Sequence, residues 1–280
     1  MTTKFIISFI CVSLLSLFTC DKGMVDEQKV NLSNNYACDE FKINSEQYGP
    51  SMKFNFRIKI LVVGKDSLEV DNLRDNLNRF GDQANFYFKI MSIDYKGVCP
   101  ENQVSYNKLL EDNYTPGFIT IIIVCDNIRF EEEFRSRIDG AALGIPTLED
   151  PTLGKPVLFV RNSVAYGKIL HHELCHLYSG QHTFKDYDMA NKGMNCETRY
   201  GDGQPDTVTP LRVGSIGEQS CEYYAPEEAL KDYSRDEILN MVKNPMSYSP
   251  EKCMGLFTES QIQKMRKMVE INSRLQDCII

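Results

Sequence analysis

Alternating strand-like and helix-like spacing of hydrophobic residues organises the chain from about residue 52 onward. Apolar residues at every second position predict a strand that begins at Phe54, and apolar residues three or four apart predict a helix at residues 67–80. The β-branched apolar run of residues 118–124 is typical of a central strand buried on both faces. The alternation continues with strands at residues 85–93 and 156–160 and a helix at residues 101–110. This order predicts an α/β fold built on a twisted sheet.

From about residue 183 the pattern changes to loop-rich sequence, in which helices are predicted at residues 226–242 and 259–275. The chain after residue 50 is long enough to bury one large core, or two smaller cores that share a cleft. We therefore predict one domain over residues 51–280, with an upper lobe at residues 51–182 and a loop-rich lower lobe at residues 183–280.

All four histidines of the chain lie within residues 171–182. His172 and His176 stand at i and i+4, so on a helix, which advances about 100° per residue, their side chains share one face and can bind the same ion. Glu173 falls to one side of that direction, where it can reach a water beside the ion without being a ligand. With His182 as a third nitrogen, the set leaves a fourth position for water and predicts a catalytic zinc site.

The third ligand requires the helix to end soon after His176, because His182 is too far along the chain to share the same helix face. Gly180 is expected to make the turn, since glycine tolerates a positive φ. The alternative is a structural zinc with Cys175 as fourth ligand. Cys175 points to the other side of the helix, however, and is expected to pack as a small apolar residue. His171 faces away from the metal and is expected either to support the site from behind or to be solvated.

A family resemblance rests on these residues. Residues 172–182 resemble the HExxHxxGxxH signature of the metzincin zinc peptidases, with Ser179 at the position of the signature's glycine. The continuation into Thr183 and Phe184 is similar to the pappalysin-like (cytophagalysin) group. Residues 201–207 resemble the acidic loop of that group, and residues 244–249 with Cys253 resemble its Met-turn and following cysteine. The resemblance covers roughly residues 140–270 and implies a zincin-type catalytic domain.

The resemblance also implies roles for single residues. Met246 is implied to form an apolar floor beneath the metal, and Tyr248 to place a phenol near it. The acidic loop is implied to offer a calcium site at Asp202, Asp206 and Thr207.

Glu251 is the candidate specificity residue. Relatives in this group place acidic residues just before the cysteine that follows the Met-turn, and they favour a basic residue after the scissile bond. Lys252 stands beside Glu251, and we expect it to neutralise the carboxylate and leave only a weak basic preference. The resemblance also places disulfides among Cys196, Cys221 and Cys253, with the pairing left open.

The amino-terminal segment predicts export. Residues 1–20 combine Lys4 with an apolar run too short to span a bilayer, which is typical of a signal peptide. Its end at Cys20 resembles a loose bacterial lipobox, in which that cysteine becomes the lipid-bearing first residue; simple cleavage and secretion is the alternative, because Phe18 is bulky for such a site. Residues 21–50 are polar without a sustained period and predict a tether or short pro-segment. We expect a cell-surface lipoprotein, or a secreted or periplasmic protein, with membrane attachment only through such a lipid.

Composition supports this location. The chain has 39 acidic and 31 basic residues and a net charge of −8, without a basic patch, so nucleic acid is not expected as a partner. Ten cysteines suit an oxidising compartment. We expect a monomer that acts on a protein or peptide substrate.

Together these features predict a zinc-dependent endopeptidase in which Glu173 is the general base and Tyr248 helps to stabilise the oxyanion. Two other functions stay open. One is a catalytically inactive surface lipoprotein that uses the metal fold as a binding module, and the other is a zinc hydrolase that acts on a non-peptide amide. The presence of Glu173 argues against the binding module, because a zinc that only binds or stabilises has no use for a carboxylate beside it.

Overall fold

A five-stranded twisted sheet forms the centre of the protein, whose computed structural model describes residues 52–131, 137–183, 204, 206–207, 215–224 and 233–280. The strands are β1 (Phe54–Val63), β2 (Phe86–Lys96), β3 (Ile119–Val124), β4 (Gly140–Ala142) and β5 (Val157–Arg161). They lie in the order β2-β1-β3-β5-β4, in which β4 alone is antiparallel to its neighbour. The predicted α/β class is confirmed.

The hydrophobic pattern of the sequence predicted the central strand of this sheet but not its edge strand β4. Every residue of β3 is buried, as the apolar β-branched run predicted. The edge strand β4 was missed, because its sequence Gly-Ala-Ala is short and carries no alternation of large apolar and polar residues. The Asp139-Gly140 pair that begins it is also a usual turn signal.

Helices cover both faces of the sheet. In the described part of the chain they are α1 (Val70–Ala84), α2 (Tyr106–Asn113), α3 (Lys168–Leu177), α4 (Arg235–Lys243), α5 (Glu259–Ile271) and α6 (Ser273–Gln276). The prediction that the first helix ends near Gly81 is wrong by about one turn. Gly81 lies inside α1, where an added Cβ would come within 2.2 Å of the Phe86 carbonyl oxygen, so glycine permits close packing against β2. Asn85, with φ of 61°, ends the helix instead.

Two hydrophobic cores lie on opposite faces of the sheet. Alternation along β1 divides the residues between them: Ile58 and Ile60 enter the larger core, whereas Leu61 and Val63 enter the smaller one. The apolar sides of α1, α3 and α5 complete the larger core, and Leu110 of α2 belongs to the smaller one. The helix with the histidines is therefore fixed to the sheet by its apolar side, through Leu170, Leu174 and Leu177.

Two disulfides, Cys99–Cys125 and Cys221–Cys253, cross-link the described residues. The second answers the pairing question left open for Cys221 and Cys253; Cys196 lies outside the described residues. A short hairpin of β6 (Ser215–Ile216) and β7 (Tyr223–Tyr224) contains one of these cysteines in its turn. Within the described ranges no helix has the length and apolar character needed to cross a membrane. The predicted signal segment, Cys20 and the predicted tether fall outside those ranges.

Candidate active site

Helix α3 presents two of the three predicted metal ligands on one face. It follows β5 after a single 3-10 turn (Asn162–Val164), and the i and i+4 spacing brings the Nε2 atoms of His172 and His176 to 3.1 Å. The Nε2 atom of His182 lies 3.1 Å from that of His172. All three ligand atoms lie within 4.8 Å of one another, so the predicted cluster is present.

The turn that returns the chain to His182 differs from the prediction. The N–H of Gly180 donates to the Cys175 carbonyl at 2.9 Å, and the N–H of Ser179 donates to the His176 carbonyl at 3.2 Å. This is a Schellman motif, and the residue with positive φ is Ser179, at 72°, rather than Gly180. Gly180 is required for another reason, because an added Cβ would lie 2.1 Å from the Cys175 sulfur. Cys175 is fully buried in the larger hydrophobic core, in agreement with its predicted apolar packing.

Backbone carbonyls fix the orientation of the two helical ligands. The Nδ1 atom of His172 lies 2.9 Å from the Pro245 oxygen, and that of His176 lies 2.7 Å from the Gly180 oxygen. A carbonyl oxygen only accepts, so each Nδ1 carries the proton and each neutral ring keeps its Nε2 lone pair. Two such lone pairs 3.1 Å apart cannot hydrogen-bond to each other. A tetrahedral zinc, with nitrogens at about 2.0–2.1 Å from the ion and so about 3.3 Å apart, fits this donor set.

Burial keeps these rings neutral. Desolvation lowers the pKa of His176 to about 3 and that of His182 to about 4, with the neighbouring His172 as the next cause. Desolvation also lowers the pKa of His172. Neutral imidazole is the form that binds zinc.

Glu173 lies next to the ligands at the base of a cleft of about 290 Å³. The cleft is lined by Arg137, Ile138, Asp139, Gly140, Ile169, His172, Glu173, Tyr248 and Met254. The Glu173 residue is 6% exposed, and burial raises the pKa of its carboxyl group to about 8. Gly140 of the edge strand packs directly on it, since an added Cβ would lie 2.7 Å from Glu173 Cγ. Sequence reasoning missed this contact because nothing in the local pattern of Gly140 reports it.

The predicted Met-turn is a 3-10 turn, Pro245–Ser247, that lies beneath the histidines. Asn244 caps it by accepting the Met246 N–H at 2.9 Å, and Met246 is fully buried. The Met246 carbonyl accepts the Thr183 N–H at 3.2 Å, directly after the third ligand. The turn therefore contacts two ligand segments, one through Pro245 and one through Thr183.

Tyr248 places its ring over the histidines. Its centroid is 4.7 Å from that of His182 and 5.4 Å from that of His172, while 63% of the residue is exposed to the cleft and solvent. Desolvation, and next the charge of Glu173, raise the pKa of the phenol, so it keeps its proton and can donate a hydrogen bond. Its φ of 54° is left-handed, a conformation that non-glycine residues seldom adopt.

Asp206 and Thr207, two of the predicted calcium ligands, are not part of this cluster. Asp206 accepts the Thr258 hydroxyl at 2.7 Å and the Ser260 N–H at 2.9 Å, at the start of α5. The Thr207 hydroxyl donates to the Gln204 carbonyl. Asp202 lies outside the described residues, and the calcium site stays a prediction.

His171 is not solvated, which corrects one of its two predicted environments. It is fully buried on the far side of α3, where its Nε2 lies 3.0 Å from the Asn76 carbonyl oxygen of α1. Desolvation lowers its pKa to about 4, so the ring is neutral and joins two helices of the core.

Solved structures with some similarity include an archaemetzincin, a metalloproteinase and a zinc-dependent peptidase. Archaemetzincin from Methanopyrus kandleri has a TM-score of 0.39 at 9% identity, over 77% of this chain and 96% of that one. Metalloproteinase-II from Bacteroides fragilis has a TM-score of 0.31 at 16% identity, over 48% of this chain and 45% of that one. A zinc-dependent peptidase from Methanocorpusculum labreanum has a TM-score of 0.26 at 15% identity, over 44% of this chain and 82% of that one. At TM-scores below 0.5 these similarities assign no function. Curated proteins give no significant match.

A family model gives the more specific result. The peptidase family described as Pregnancy-associated plasma protein-A matches residues 158–270. That range contains the three histidines, Glu173 and residues 244–249, on which the resemblance rested. Over residues 158–270 the chain is therefore similar to the peptidases of that family, which is consistent with a metzincin-like protein.

Proposed function

We propose that the protein is a zinc-dependent endopeptidase that hydrolyses internal peptide bonds of protein or peptide substrates. The observation that carries the proposal is the placement of a buried, non-ligand carboxylate, Glu173, beside three convergent Nε2 atoms at the base of an open cleft. A site that only stores or displays a metal does not require such a carboxylate.

His172, His176 and His182 would hold the zinc ion. When bound, zinc acidifies an adjacent water and polarises the substrate carbonyl. Glu173 accepts the proton of the attacking water as the new C–O bond forms. The same carboxyl group then gives that proton to the leaving amine as the C–N bond breaks, so Glu173 ends the cycle as it began. Burial raises the pKa of Glu173 and so strengthens the carboxylate as a base, while the charge of a bound zinc ion would favour its ionised form.

Tyr248 supplies a second stabilising group. Its protonated phenol lies over the ring of His182 and borders the cleft, from which it can donate a hydrogen bond to the oxygen of the tetrahedral intermediate. Tyr248→Phe is therefore expected to reduce kcat by about 10-fold to 10³-fold without loss of zinc.

We also propose that the protein is exported and acts outside the cytoplasm, with Cys20 as the candidate lipidation site. Two disulfides among the described residues support this location, because disulfides persist in oxidising compartments. Metabolic labelling with a radioactive fatty acid, compared with a Cys20→Ala variant, distinguishes a lipoprotein from a freely secreted enzyme.

Digestion of casein or gelatin, with and without a chelator, tests the enzymatic function. We expect about one zinc per chain, activity that the chelator removes, and activity that returns with added zinc. Glu173→Ala should keep the zinc and lose at least about 10²-fold to 10⁴-fold of the activity, whereas His182→Ala should lose the zinc itself. A Glu173→Ala variant that retains both zinc and substantial activity would exclude the proposed general base. A wild-type protein that binds zinc and cleaves no peptide would favour the binding module.

A further inference from the structure

Glu251 caps the helix that carries the zinc ligands. Its Oε1 atom accepts the Lys168 backbone N–H, the first of α3, at 2.6 Å across a sequence separation of 83 residues. Glu251 is exposed, and its side chain is not among those that line the cleft beside Glu173. A carboxylate at the start of a helix satisfies a free N–H and interacts favourably with the helix dipole.

Helix α3 depends on this distant residue because it has no cap of its own. Its N-cap residue is Gly167, which offers no side chain, whereas α2, α4 and α5 are capped locally by Ser105, Ser234 and Thr258. An added Cβ at this position would lie 1.7 Å from the Glu251 oxygen, so a larger residue would displace the carboxylate from the cap. Gly167 and Glu251 therefore form a matched pair.

The same contact fixes one side of the cleft. Glu251 begins a 3-10 turn, Glu251–Cys253, that follows Tyr248 and leads into Met254, and both of these residues line the cleft. The Lys168 ammonium donates to the Gly255 carbonyl at 3.2 Å, so α3 contacts the segment on each side of Met254. The Cys221–Cys253 disulfide holds the turn from its other side. Met254 and Ile169 of α3 both line the cleft, so the helix cap joins two segments of its wall.

Lys252 does not pair with Glu251 in the way the sequence predicted. Its ammonium donates to the Gln219 side chain at 2.7 Å. The Glu251 carboxylate therefore binds the start of α3, whereas the Lys252 ammonium binds Gln219 between β6 and β7.

We propose that Glu251 is a positioning residue, which holds the Met254 side of the cleft against the start of α3. It does not itself select a basic substrate residue. This inference rests on the proposed peptidase function. It assigns Glu251 an effect on how every substrate fits the cleft, independent of the charge of the residue after the scissile bond.

The test compares Glu251→Ala, Glu251→Gln and the matched control Lys252→Gln on two peptides that differ only by Arg or Leu after the scissile bond. Glu251→Ala is expected to raise KM about 5-fold for both peptides, with kcat within about 2-fold and zinc content unchanged. Glu251→Gln keeps an acceptor oxygen and should restore most of the KM. The Arg-to-Leu ratio of kcat/KM should be the same in all variants, and Lys252→Gln should behave as wild type. A Glu251→Gln variant that loses a preference for Arg would overturn the proposal, as would an unchanged KM in Glu251→Ala.

Two further measurements keep the result decisive. Gly167→Ala displaces the carboxylate without altering it, and it should raise KM as Glu251→Ala does; a normal KM in this variant contradicts the proposal. Amide hydrogen exchange at Lys168 needs no activity: exchange should accelerate several-fold in Glu251→Ala and little in Glu251→Gln. Failure of the peptidase function would appear as no cleavage by the wild type with this exchange pattern intact. Failure of the capping role would appear as equal exchange in all variants.

Discussion

The two walls of the cleft contact different parts of the catalytic machinery. The strand-side wall, residues 137–140, ends at Gly140, which packs on the Glu173 side chain. The turn-side wall, residues 245–254, contacts a zinc ligand instead, through the Pro245 carbonyl on His172 and through the ring of Tyr248. One wall thus contacts the proposed general base and the other contacts a proposed zinc ligand, so substitutions in the two walls should have separable effects.

The walls are also held in different ways. The strand-side wall is held by hydrogen bonds from Arg161, which is 1% exposed. Its side chain donates to the carbonyls of Asp126, Ile128 and Ile138 at 2.8–2.9 Å. The turn-side wall is held by polar side chains and by a disulfide, with Asn244 at its start and Cys253 near its end. A buried guanidinium with three carbonyl acceptors is costly to remove, since each acceptor loses a charge-assisted hydrogen bond.

The largest effect is expected from Arg161→Met, which removes the anchor of the strand-side wall. Three buried carbonyls lose their donor, so the free energy of unfolding should fall by about 3 kcal/mol in urea denaturation. Arg137→Met is the matched control: Arg137 also pairs with Asp139, but its side chain is 52% exposed, and its loss should cost less than about 1 kcal/mol. Equal losses in the two variants would show that burial of Arg161 does not matter.

Gly140→Ala should separate the general base from the metal. The added methyl group would come within 2.7 Å of Glu173 Cγ and must displace that side chain, so kcat should fall about 100-fold while zinc content stays at wild type. Gly97→Ala makes the same change where no atom lies within 4 Å, and it should leave kcat unaltered. Loss of zinc in Gly140→Ala would mean that the strand-side wall also supports the metal.

Asn244→Ala should produce the opposite result in the turn-side wall. Without the Asn244 side chain, the Met246 N–H loses its acceptor, the Gln261 side chain loses its contact with residue 244, and the Pro245 carbonyl is held less firmly against His172. Zinc affinity, measured by competition with a chelating dye, should fall about 10-fold to 100-fold. Asn240→Ala, on the exposed side of α4, serves as control and should bind zinc normally. An unchanged zinc affinity in Asn244→Ala would separate the Met-turn from metal binding.

The smallest effect concerns the turn that follows α3. Ser179 combines a φ of 72° with a buried hydroxyl that has no hydrogen-bond partner, so Ser179→Gly should stabilise the protein by about 1 kcal/mol in thermal unfolding. Asn85→Gly replaces another residue with a left-handed conformation. Because asparagine tolerates this conformation, Asn85→Gly should stabilise the protein less than Ser179→Gly does. If Asn85→Gly gives the larger gain, strain at Ser179 is not the cause.

Helix α3 and the central strand β3 could be predicted because the sequence patterns that indicate them lie within a few consecutive residues. The i and i+4 spacing of His172 and His176 predicts that both lie on one helix face, and the apolar run at residues 118–124 predicts a buried strand. The structure confirms both predictions. The turn after the helix was predicted in place but assigned to the wrong residue. Both Ser179 and Gly180 are needed there, one for its conformation and the other for its lack of a side chain.

The sequence by itself determined the ligand set, the general-base candidate and the α/β class, because helix and strand periods and metal-ligand spacing are properties of consecutive residues. Only the tertiary structure decided which backbone groups complete the site. The Pro245 carbonyl on His172, the Gly140 contact with Glu173 and the Glu251 cap on α3 each join segments far apart in the chain. Backbone atoms are the same in every residue, and a glycine contact consists of a missing side chain, so no local pattern of residue types records these contacts.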